Sequence, residues 1–394
     1  MLPLENIKIL DLSRLAAGNM VSHMFADFGA DVVKVEKPGK GDDLRNWKIN
    51  GISHWWAVYS RNKRSISIDL KKDEGLALLK ELVKSADVFI ENFVPGTLEK
   101  WGIGPEQLAE LNKNLIILRI SGWGQTGIFK NAPGFGSLVE GMSGFAAMTG
   151  EEKQSPLLPP LALADMVAGL TGFGAILMAI LTSKKDNTGG QVIDLSLFEP
   201  FFSILGPWAA SYKISGKVPE RIGNRSNVAA PRGIYKTKDN KYVSLSASMQ
   251  SMWEKLALTI GSSDLIKDPR FLTNSDRLNN QDDLDKPISK FIKKYSREEV
   301  LNIFSKEGIT VGPVLDISEI IEHPYIKDRE VLIDHYNKEY GNVLMHQAFP
   351  RLSKTPGKIR HSAPSLGGDT DLVLKEIGIS EKQIQMLRKN KIIN

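Results

Sequence analysis

Six short segments in the first half of the chain are apolar and rich in β-branched residues, a composition typical of β-strands. They are residues 7–13, 31–37, 65–70, 87–93, 115–121 and 191–197. Stretches with helical periodicity lie between most of them, for example 75–86 and 106–114. Strands that alternate with helices indicate βαβ units, so we predict an α/β protein with a doubly wound parallel sheet. In such a sheet, ligands bind beyond the carboxyl ends of the strands.

The pattern changes after about residue 215. Residues 216–233 (GKVPERIGNRSNVAAPRG) are rich in Gly, Pro and Asn, which predicts a loop. Two alternating segments joined by KDNK follow at 234–247 and predict a β-hairpin, and helical patterns continue through 286–308. We therefore predict a second, smaller α+β domain over about 220–315.

Composition narrows the class of protein. The chain has 394 residues, 42% of them apolar, and no Cys, which excludes disulfides, thiolate nucleophiles and Cys-ligated metal sites. The net charge of +5 is small for a chain of this length, and no basic run with interleaved aromatic residues is present, so we do not expect nucleic acid as a partner. The longest apolar stretch, LTGFGAILMAIL at 170–181, is shorter than the roughly 20 residues that cross a bilayer, so we expect a buried core helix and no membrane partner. The N-terminus shows no secretion signal, which favours the cytoplasm.

Basic residues crowd into the first quarter of the chain. They are Lys34, Lys37, Lys40, Arg45, Lys48, Arg61, Lys63, Arg64, Lys71 and Lys72. Two interpretations are open: solvated loop ends, or a site for a multiply phosphorylated small molecule. A nicotinamide or flavin cofactor is not expected, because the turn after the first predicted strand reads SRLAAGNM and lacks the GxGxxG fingerprint.

One carboxylate, Asp165, stands in the otherwise uncharged run LALADMVAGL at 161–170. A buried, unpaired carboxylate is costly, so this group caps a helix, is shifted toward its neutral form, or takes part in chemistry. The residues alone leave these alternatives open.

A series of motifs spread over nearly the whole chain resembles the class III CoA-transferase family, also called the CaiB/BaiF family. In chain order they are ILDLSRLAAG, FADFGADVVKVEKPGKGDDLR, SRNKRSISIDLK, ADVFIENFVPGTLEKWGIG, SGWGQTG, APGFGSLVEGMSG, LALADMVAG, VGPVLD and APSLGGDTDLVLKEIG. The family includes formyl-CoA transferase, carnitine CoA-transferase and α-methylacyl-CoA racemase. The match in order along the chain is more specific than any single motif.

The resemblance implies an architecture. Family members are interlocked homodimers of ring-shaped subunits, each with a Rossmann-like large domain and a small domain joined by two linkers. By this likeness, residues 1–190 and 335–394 form the large domain and 220–315 the small one. Residues 191–219 and 316–334 are then the linkers.

The resemblance also implies the chemistry. Asp165 matches the family's catalytic aspartate, which attacks the donor thioester to form an aspartyl–acyl anhydride and then carries CoA as an aspartyl thioester. We expect the start of the following helix to favour its charged form, and Ala162, Ala164, Ala168 and Gly169 to leave room for the thioester. The partners implied are acyl-CoA, small carboxylic acids and a second copy of the chain; CoA is a substrate, and no tightly bound cofactor or metal is implied.

Further positions match the family's CoA-binding residues. They are Ala16, Ala17, Lys37, Ile68, Asp69, Leu70, Lys71, Asn92, Phe93, Val94, Lys100, Gly134, Phe135, Gly136 and Ser137. Phe135 stands where racemase members carry a catalytic His, and Phe cannot exchange a proton, so the sequence favours a transferase over the racemase alternative.

Substrate identity is less determined. Succinyl-CoA or another dicarboxylate donor and carnitine-type substrates both remain candidates. Arg221, Arg225 and Arg232 are candidates to bind the second carboxylate of a dicarboxylic acceptor. A CoA-binding protein without catalytic activity is a third reading of the same fold.

Overall fold

The computed structural model describes residues 1–186 and 188–394, and its internal contacts divide the chain into two units. The first unit consists of Met1–Phe145, Leu158–Trp208 and Lys327–Asn394. The second unit consists of Ala146–Leu157 and Ala209–Ile326. The C-terminal segment is therefore part of the same unit as the N-terminal half.

A parallel sheet of six strands forms the centre of the first unit and confirms the predicted α/β class. The strands are β1 (Lys8–Asp11), β2 (Asp31–Glu36), β3 (Arg64–Ser67), β4 (Val88–Glu91), β5 (Ile116–Ser121) and β6 (Val192–Ser196). Their order across the sheet is β3-β2-β1-β4-β5-β6, the Rossmann-like order. The direction of progression reverses between β1 and β4, and ligands of such sheets bind at this point.

The remaining strands pair antiparallel in two small sheets. One, in the second unit, holds β7 (Arg232–Lys236), β8 (Tyr242–Ser246) and β9 (Val311–Pro313). The other, in the first unit, holds β10 (Leu332–Asn337) and β11 (Gly341–His346). The predicted hairpin at 234–247 corresponds to β7 and β8, and Asn240 in its turn has a φ of 60°.

The helices in the described part of the chain are α1 (Leu15–Asp27), α2 (His54–Tyr59), α3 (Asp73–Val83), α4 (Thr97–Lys100), α5 (Pro105–Leu111), α6 (Gly136–Met142), α7 (Phe145–Met148), α8 (Leu163–Asp186), α9 (Phe198–Ser203), α10 (Trp208–Ser215), α11 (Gln250–Thr259), α12 (Asn274–Asn279), α13 (Gln281–Ile292), α14 (Arg297–Lys306), α15 (Ile317–Glu322), α16 (Pro324–Asp328), α17 (Thr370–Glu376) and α18 (Glu381–Lys389). Short 3₁₀ turns occur at Asp43–Asn46 and Ser263–Ile266. The predicted helices at 75–86 and 106–114 correspond to α3 and α5.

The core of the first unit lies on both faces of the parallel sheet. Successive side chains of a strand point to opposite faces, so Ile9 belongs to one apolar cluster and Leu10 to the other. Helices α1 and α8 cover the face of Ile9. The C-terminal residues Val373 and Ile393 pack on the face of Leu10 and so complete the core.

Helix α8 packs closely against α1 through small residues. A Cβ added at Gly169 would lie 2.6 Å from Cβ of Met20, and one added at Gly172 would lie 3.0 Å from the Val21 side chain. Gly169 and the buried Ala168 therefore serve helix packing, which corrects the expectation that they leave room for a substrate.

The prediction that 170–181 lies in a buried core helix needs a second correction. Helix α8 spans 24 residues, and its outer side is exposed, with Met178 at 65% and Leu181 at 67%. By length and composition alone it could cross a membrane, although about a third of its apolar stretch is buried within the chain, and core helices pass the same test.

The second unit has its own apolar core, in which Trp253, Ile288 and Phe304 pack against the small sheet. Two predicted domain boundaries need correction. The linker at 191–219 starts too early, because Val192–Ser196 forms β6 of the parallel sheet. Residues 146–157, assigned above to the large domain, belong to the second unit by their contacts.

Candidate active site

Two cavities lie at the carboxyl edge of the parallel sheet. The larger, about 470 Å³ and called here the Asp165 cavity, is lined by the loops after β1, β4, β5 and β6 and by Asp165. The smaller, about 300 Å³ and called here the Lys71 cavity, is lined by the segments after β1, β2, β3 and β4 and includes Lys71. Arg14, Phe93 and Val94 line both. The two cavities thus adjoin at the point where the strand order reverses.

Asp165 is half-buried in the first turn of α8. Burial, and next the negative charge of Glu140, raise its pKa to about 6, while its own backbone N–H acts in the opposite direction. The expected stabilisation of the anion by the helix start is therefore outweighed. With this pKa, about 90% of the group is ionised at pH 7.

Gly136, at the start of α6, lies directly against Asp165. A Cβ added at Gly136 would lie 2.4 Å from Oδ2 of Asp165, a distance that no real contact has. The absence of a side chain at Gly136 therefore lets the carboxylate take its place. Gly122 and Gly134 allow another close approach. A Cβ on Gly122 would lie 2.5 Å from the Cα of Gly134, so the two loops can cross only without side chains there.

The turn between β1 and α1 is held by side chains from other segments. Asn92 accepts the backbone N–H of Arg14 at 2.8 Å and donates to the carbonyl of Arg14 at 2.7 Å. Leu15 has a φ of 62°, unusual for a branched side chain, and donates its N–H to Asp42 at 2.9 Å. These bonds place the Arg14 guanidinium 5.5 Å from the Phe93 ring, between the two cavities.

Three members of the predicted basic cluster, Lys34, Arg61 and Lys63, are buried and are neither solvated nor available to a ligand. Lys34 is fully buried and lies 3.1 Å from both Asp11 and Asp42. Lys63, 4% exposed, donates to Oδ1 of Asn19 at 2.9 Å, and burial lowers its pKa to about 7. These ammonium groups satisfy carboxylates and amides beneath the β1–α1 turn.

Two arginines of the same cluster are also engaged within the protein. Arg61 is buried and bonds to Asp27 at 2.6 Å, and Arg45 bonds to Glu36 at 2.8 Å. Lys37 and Lys71, in contrast, are exposed and line the Lys71 cavity. Both interpretations of the cluster were thus too simple, because its buried members support the fold of the site.

The structure brings most of the predicted CoA residues to these cavities. Lys37, Ile68, Asp69, Leu70, Lys71, Phe93 and Val94 line the Lys71 cavity. Ala17, Asn92, Phe93, Val94, Gly134 and Phe135 line the Asp165 cavity. Ala16, Lys100, Gly136 and Ser137 line neither; Ala16 is buried, and Lys100 and Ser137 are exposed.

Sequence reasoning missed several residues of the site. Arg14 lies in the turn just after β1, so the rule that sites lie at strand ends could have found it. Lys130 lines the Asp165 cavity from a loop that no motif marks; Trp101 lines the Lys71 cavity and lies within the motif ADVFIENFVPGTLEKWGIG, but was not predicted as a site residue. Glu140 lies within the motif APGFGSLVEGMSG but was not predicted as a site residue, although it is buried beside the nucleophile candidate. Among the described residues, no group of three or more His, Asp or Glu is placed to hold a metal ion.

Comparisons with known proteins identify the family of the chain. The family model described as CoA-transferase family III matches residues 4–370. Succinyl-CoA–D-citramalate CoA-transferase from Chloroflexus aurantiacus is 35% identical over 99% of this chain and 98% of its own length. Human succinyl-CoA:glutarate CoA-transferase is 32% identical over 95% of this chain and 86% of its own length. A crystal structure of a CaiB/BaiF family protein from Brucella suis, 32% identical, superposes with a TM-score of 0.84 and covers 95% of this chain and 99% of that one.

The fold, the site and these relatives define an enzyme that transfers CoA between carboxylic acids. The chain belongs to the CoA-transferase family III, as the sequence motifs predicted. Its substrates are therefore CoA thioesters and carboxylic acids.

Proposed function

We propose that this enzyme transfers CoA from succinyl-CoA to a second dicarboxylic acid, with Asp165 as the nucleophile. The observation that carries the proposal is the position of Asp165: a half-buried carboxylate, largely ionised at pH 7, in the wall of a 470 Å³ cavity at the carboxyl edge of the sheet. A group that is both charged and partly shielded from water can attack a thioester and protect the resulting anhydride from hydrolysis.

The two cavities together fit the two ends of CoA. Ile68, Leu70, Phe93 and Trp101 give the Lys71 cavity apolar and aromatic walls, which suit an adenine ring. Lys37 and Lys71 in the same wall suit phosphates as point charges. The pantetheine arm then passes Phe93 and Val94, which line both cavities, and brings the thioester to Asp165.

The reaction proceeds by two acyl exchanges on Asp165. The carboxylate attacks the thioester carbonyl, the C–S bond breaks, and CoA leaves as a thiolate from the aspartyl–acyl anhydride. The thiolate then attacks the aspartyl carbonyl and displaces the donor carboxylate, so CoA is held as an aspartyl thioester. The acceptor carboxylate displaces the thiolate, which attacks the acceptor carbonyl of the new anhydride and releases acyl-CoA and free Asp165. A raised pKa assists the first step, because a more basic carboxylate is the better nucleophile.

The dicarboxylate substrates are inferred from relatives and from charge. The similar enzymes are named for succinyl-CoA with citramalate, malate or glutarate. Arg14 and Lys130 line the Asp165 cavity; Arg14 lies 3.8 Å from Asp43, so the exposed Lys130 is the better candidate to bind the second carboxylate of a substrate. Arg225, an earlier candidate for this role, bonds to Asp282 and Asp285 within the second unit.

We further propose that two copies of the chain form a homodimer. Its support is apolar surface that a soluble monomer rarely exposes, including Met178 and Leu181 on α8 and Ile204 after α9. Light scattering on the purified protein tests this, with a mass near twice 43.6 kDa expected and a monomer at micromolar concentration the contrary result. The cytoplasmic location stays a prediction.

Thioester exchange tests the proposed function directly. The protein is mixed with succinyl-CoA and citramalate, malate or glutarate, and the new acyl-CoA is followed by chromatography. We expect exchange with at least one of these acids, and its loss in Asp165→Asn, which keeps the side-chain shape but not the charge. Undiminished turnover by Asp165→Asn would refute the nucleophile; no exchange with any carboxylic acid would refute the activity.

A further inference from the structure

The first turn of α8 is capped from another helix. A helix begins with N–H groups that lack partners within the helix. Here the N–H of Leu163 donates to the carbonyl of Leu161 in the preceding loop at 2.8 Å. The backbone N–H of Asp165 interacts with the carboxylate of the same residue and lowers its pKa. The N–H of Ala164 donates to Oε1 of Glu140 on α6 at 3.1 Å. Ala162, which precedes the helix, has no side-chain oxygen, so Glu140 supplies the cap that the local sequence lacks.

Glu140 is fixed in place. It is 3% exposed, and its helix α6 packs against both α8 and α9. The charged side chain that α9 contributes, Glu199, bonds to Ser196 instead. A carboxylate here is stabilised by the N-terminus of the 24-residue helix α8, which favours a negative charge.

Two carboxylates thus share one helix start. Arg14, Asp43 and Lys130 are the other charged residues of the Asp165 cavity. After burial, the charge that raises the pKa of Asp165 is that of Glu140. The two acidic groups differ in access, because Asp165 lines the cavity and Glu140 does not.

We propose that Glu140 is a positioning residue of the transfer reaction. It fixes the first turn of α8, which carries Asp165, to α6, and its negative charge favours the acylated, uncharged states of Asp165 over the free carboxylate. This role rests on Asp165 being the nucleophile. In the free enzyme two negative charges lie at the start of α8; in the anhydride and the aspartyl thioester only that of Glu140 remains. Acylation therefore relieves a repulsion, and Glu140 still holds the Ala164 N–H throughout.

The variant Glu140→Gln separates charge from position. Its amide oxygen can accept the same N–H, so the fold and the turn remain while the repulsion is lost. Asp165 is titrated by ¹³C NMR of carboxyl-labelled aspartate, with its signal assigned by its absence in Asp165→Asn. We expect the midpoint in Glu140→Gln to fall by about 0.5 to 1 pH unit, and the acid limb of the transfer rate to move to lower pH by the same amount. At pH 8 the rate should fall about two- to threefold, because the nucleophile is less basic and its bond to the carbonyl is only partly formed in the transition state.

Two further variants complete the test. Glu110→Gln changes the same charge on the exposed surface of α5 and should leave both profiles unchanged. Glu140→Ala removes the cap as well and should lose more activity than Glu140→Gln, with a lower unfolding temperature. An unchanged Asp165 midpoint in Glu140→Gln overturns the proposal. That midpoint is measured without substrate, so it still decides the influence of Glu140 if Asp165→Asn turns out to be active and the proposed function fails.

Discussion

Two groups of buried charges lie near the carboxyl edge of the sheet, and they are built in opposite ways. Beneath the β1–α1 turn, Asp11 lies 3.1 Å from Lys34 and 3.7 Å from Lys63. Although burial opposes it, the two lysines and nearby hydroxyls lower the pKa of Asp11, and nearby carboxylates raise the pKa of Lys34, so this pair keeps its charges. At the start of α8, Asp165 has Glu140 as its charged neighbour, and its pKa is raised.

The difference shows how burial can serve structure in one place and chemistry in another. Opposite charges that satisfy each other fix the turn carrying Arg14 and Leu15. Burial and the like charge of Glu140 raise the free energy of the charged Asp165 carboxylate, and the proposed acylation would remove that cost. We therefore expect variants of the first group to change stability and variants of the second to change turnover.

The largest effect is expected for Asp11→Asn. This change leaves the ammonium group of Lys34 buried with one counter-charge fewer, whereas Lys63, with a pKa of about 7, can lose its proton. We expect a loss of about 3–5 kcal/mol in the free energy of unfolding, measured by urea titration. Glu110→Gln on the surface is the control. A loss below about 1 kcal/mol would show that these buried charges contribute little to the stability of the fold.

Next in size is Gly136→Ala, which acts on the second group. The added methyl group would lie 2.4 Å from Oδ2 of Asp165 and must displace the carboxylate. We expect kcat to fall about 100-fold while the unfolding temperature changes little. Gly141→Ala in the same helix is the matched control, because a Cβ there meets nothing within 4 Å. Equal activity of the two variants would contradict the close contact.

Lys63 makes the stability of the first group depend on pH. Its pKa is about 7 in the folded protein and near 10.5 when unfolded. Between these values the unfolded chain binds more protons, so stability should rise with pH, with a slope that approaches about 1.4 kcal/mol per pH unit. Urea titrations from pH 7 to 9.5 should show this slope in the native protein and not in Lys63→Met. The same slope in both proteins would rule out Lys63 as its source.

A smaller effect is expected for Lys130→Met, since this side chain is exposed in the Asp165 cavity wall. The KM for a dicarboxylic acceptor should rise about fivefold, while the KM for a monocarboxylic acid stays the same. Lys113→Met, exposed and outside both cavities, is the control. Equal changes in KM for the two kinds of acceptor would show that Lys130 does not bind the second carboxylate.

The smallest effect is expected for Lys71→Met. Loss of one exposed point charge should raise the KM for acyl-CoA about threefold and leave the KM for the acceptor acid unchanged. Added salt should reduce the difference between the variant and the native protein, because salt screens exposed charges. A rise in the KM for the acceptor acid instead would show that Lys71 contacts the acceptor and not acyl-CoA.

The sequence predicted the parallel sheet because each of its strands is a short β-branched run between helices. The sequence also singled out Asp165 as a candidate functional residue, because a lone carboxylate in an apolar run is costly to bury. The family resemblance then implied a catalytic role for it. The burial of Lys34 and Lys63 was not predictable, because it depends on Asp11 and Asp42, which other segments bring to them. For the same reason Glu140 was missed: its contact with Ala164 joins residues that only the packing of α6 on α8 brings together.

The exposed side of α8 was mispredicted for a related reason. An apolar run of twelve residues is typical of a core helix, and the pattern cannot tell which side of the helix the rest of the chain covers. In the described part of the chain, α8 buries chiefly its small residues against α1.

The central claim is that Asp165 carries the acyl group and then CoA. The most direct test is mass spectrometry of peptides after the protein is mixed with succinyl-CoA in the absence of an acceptor and quenched in acid. The account predicts a CoA or succinyl adduct on the peptide that contains Asp165, removed by hydroxylamine and absent from Asp165→Asn. An adduct confined to another peptide, or full turnover with no adduct at any time, would contradict it.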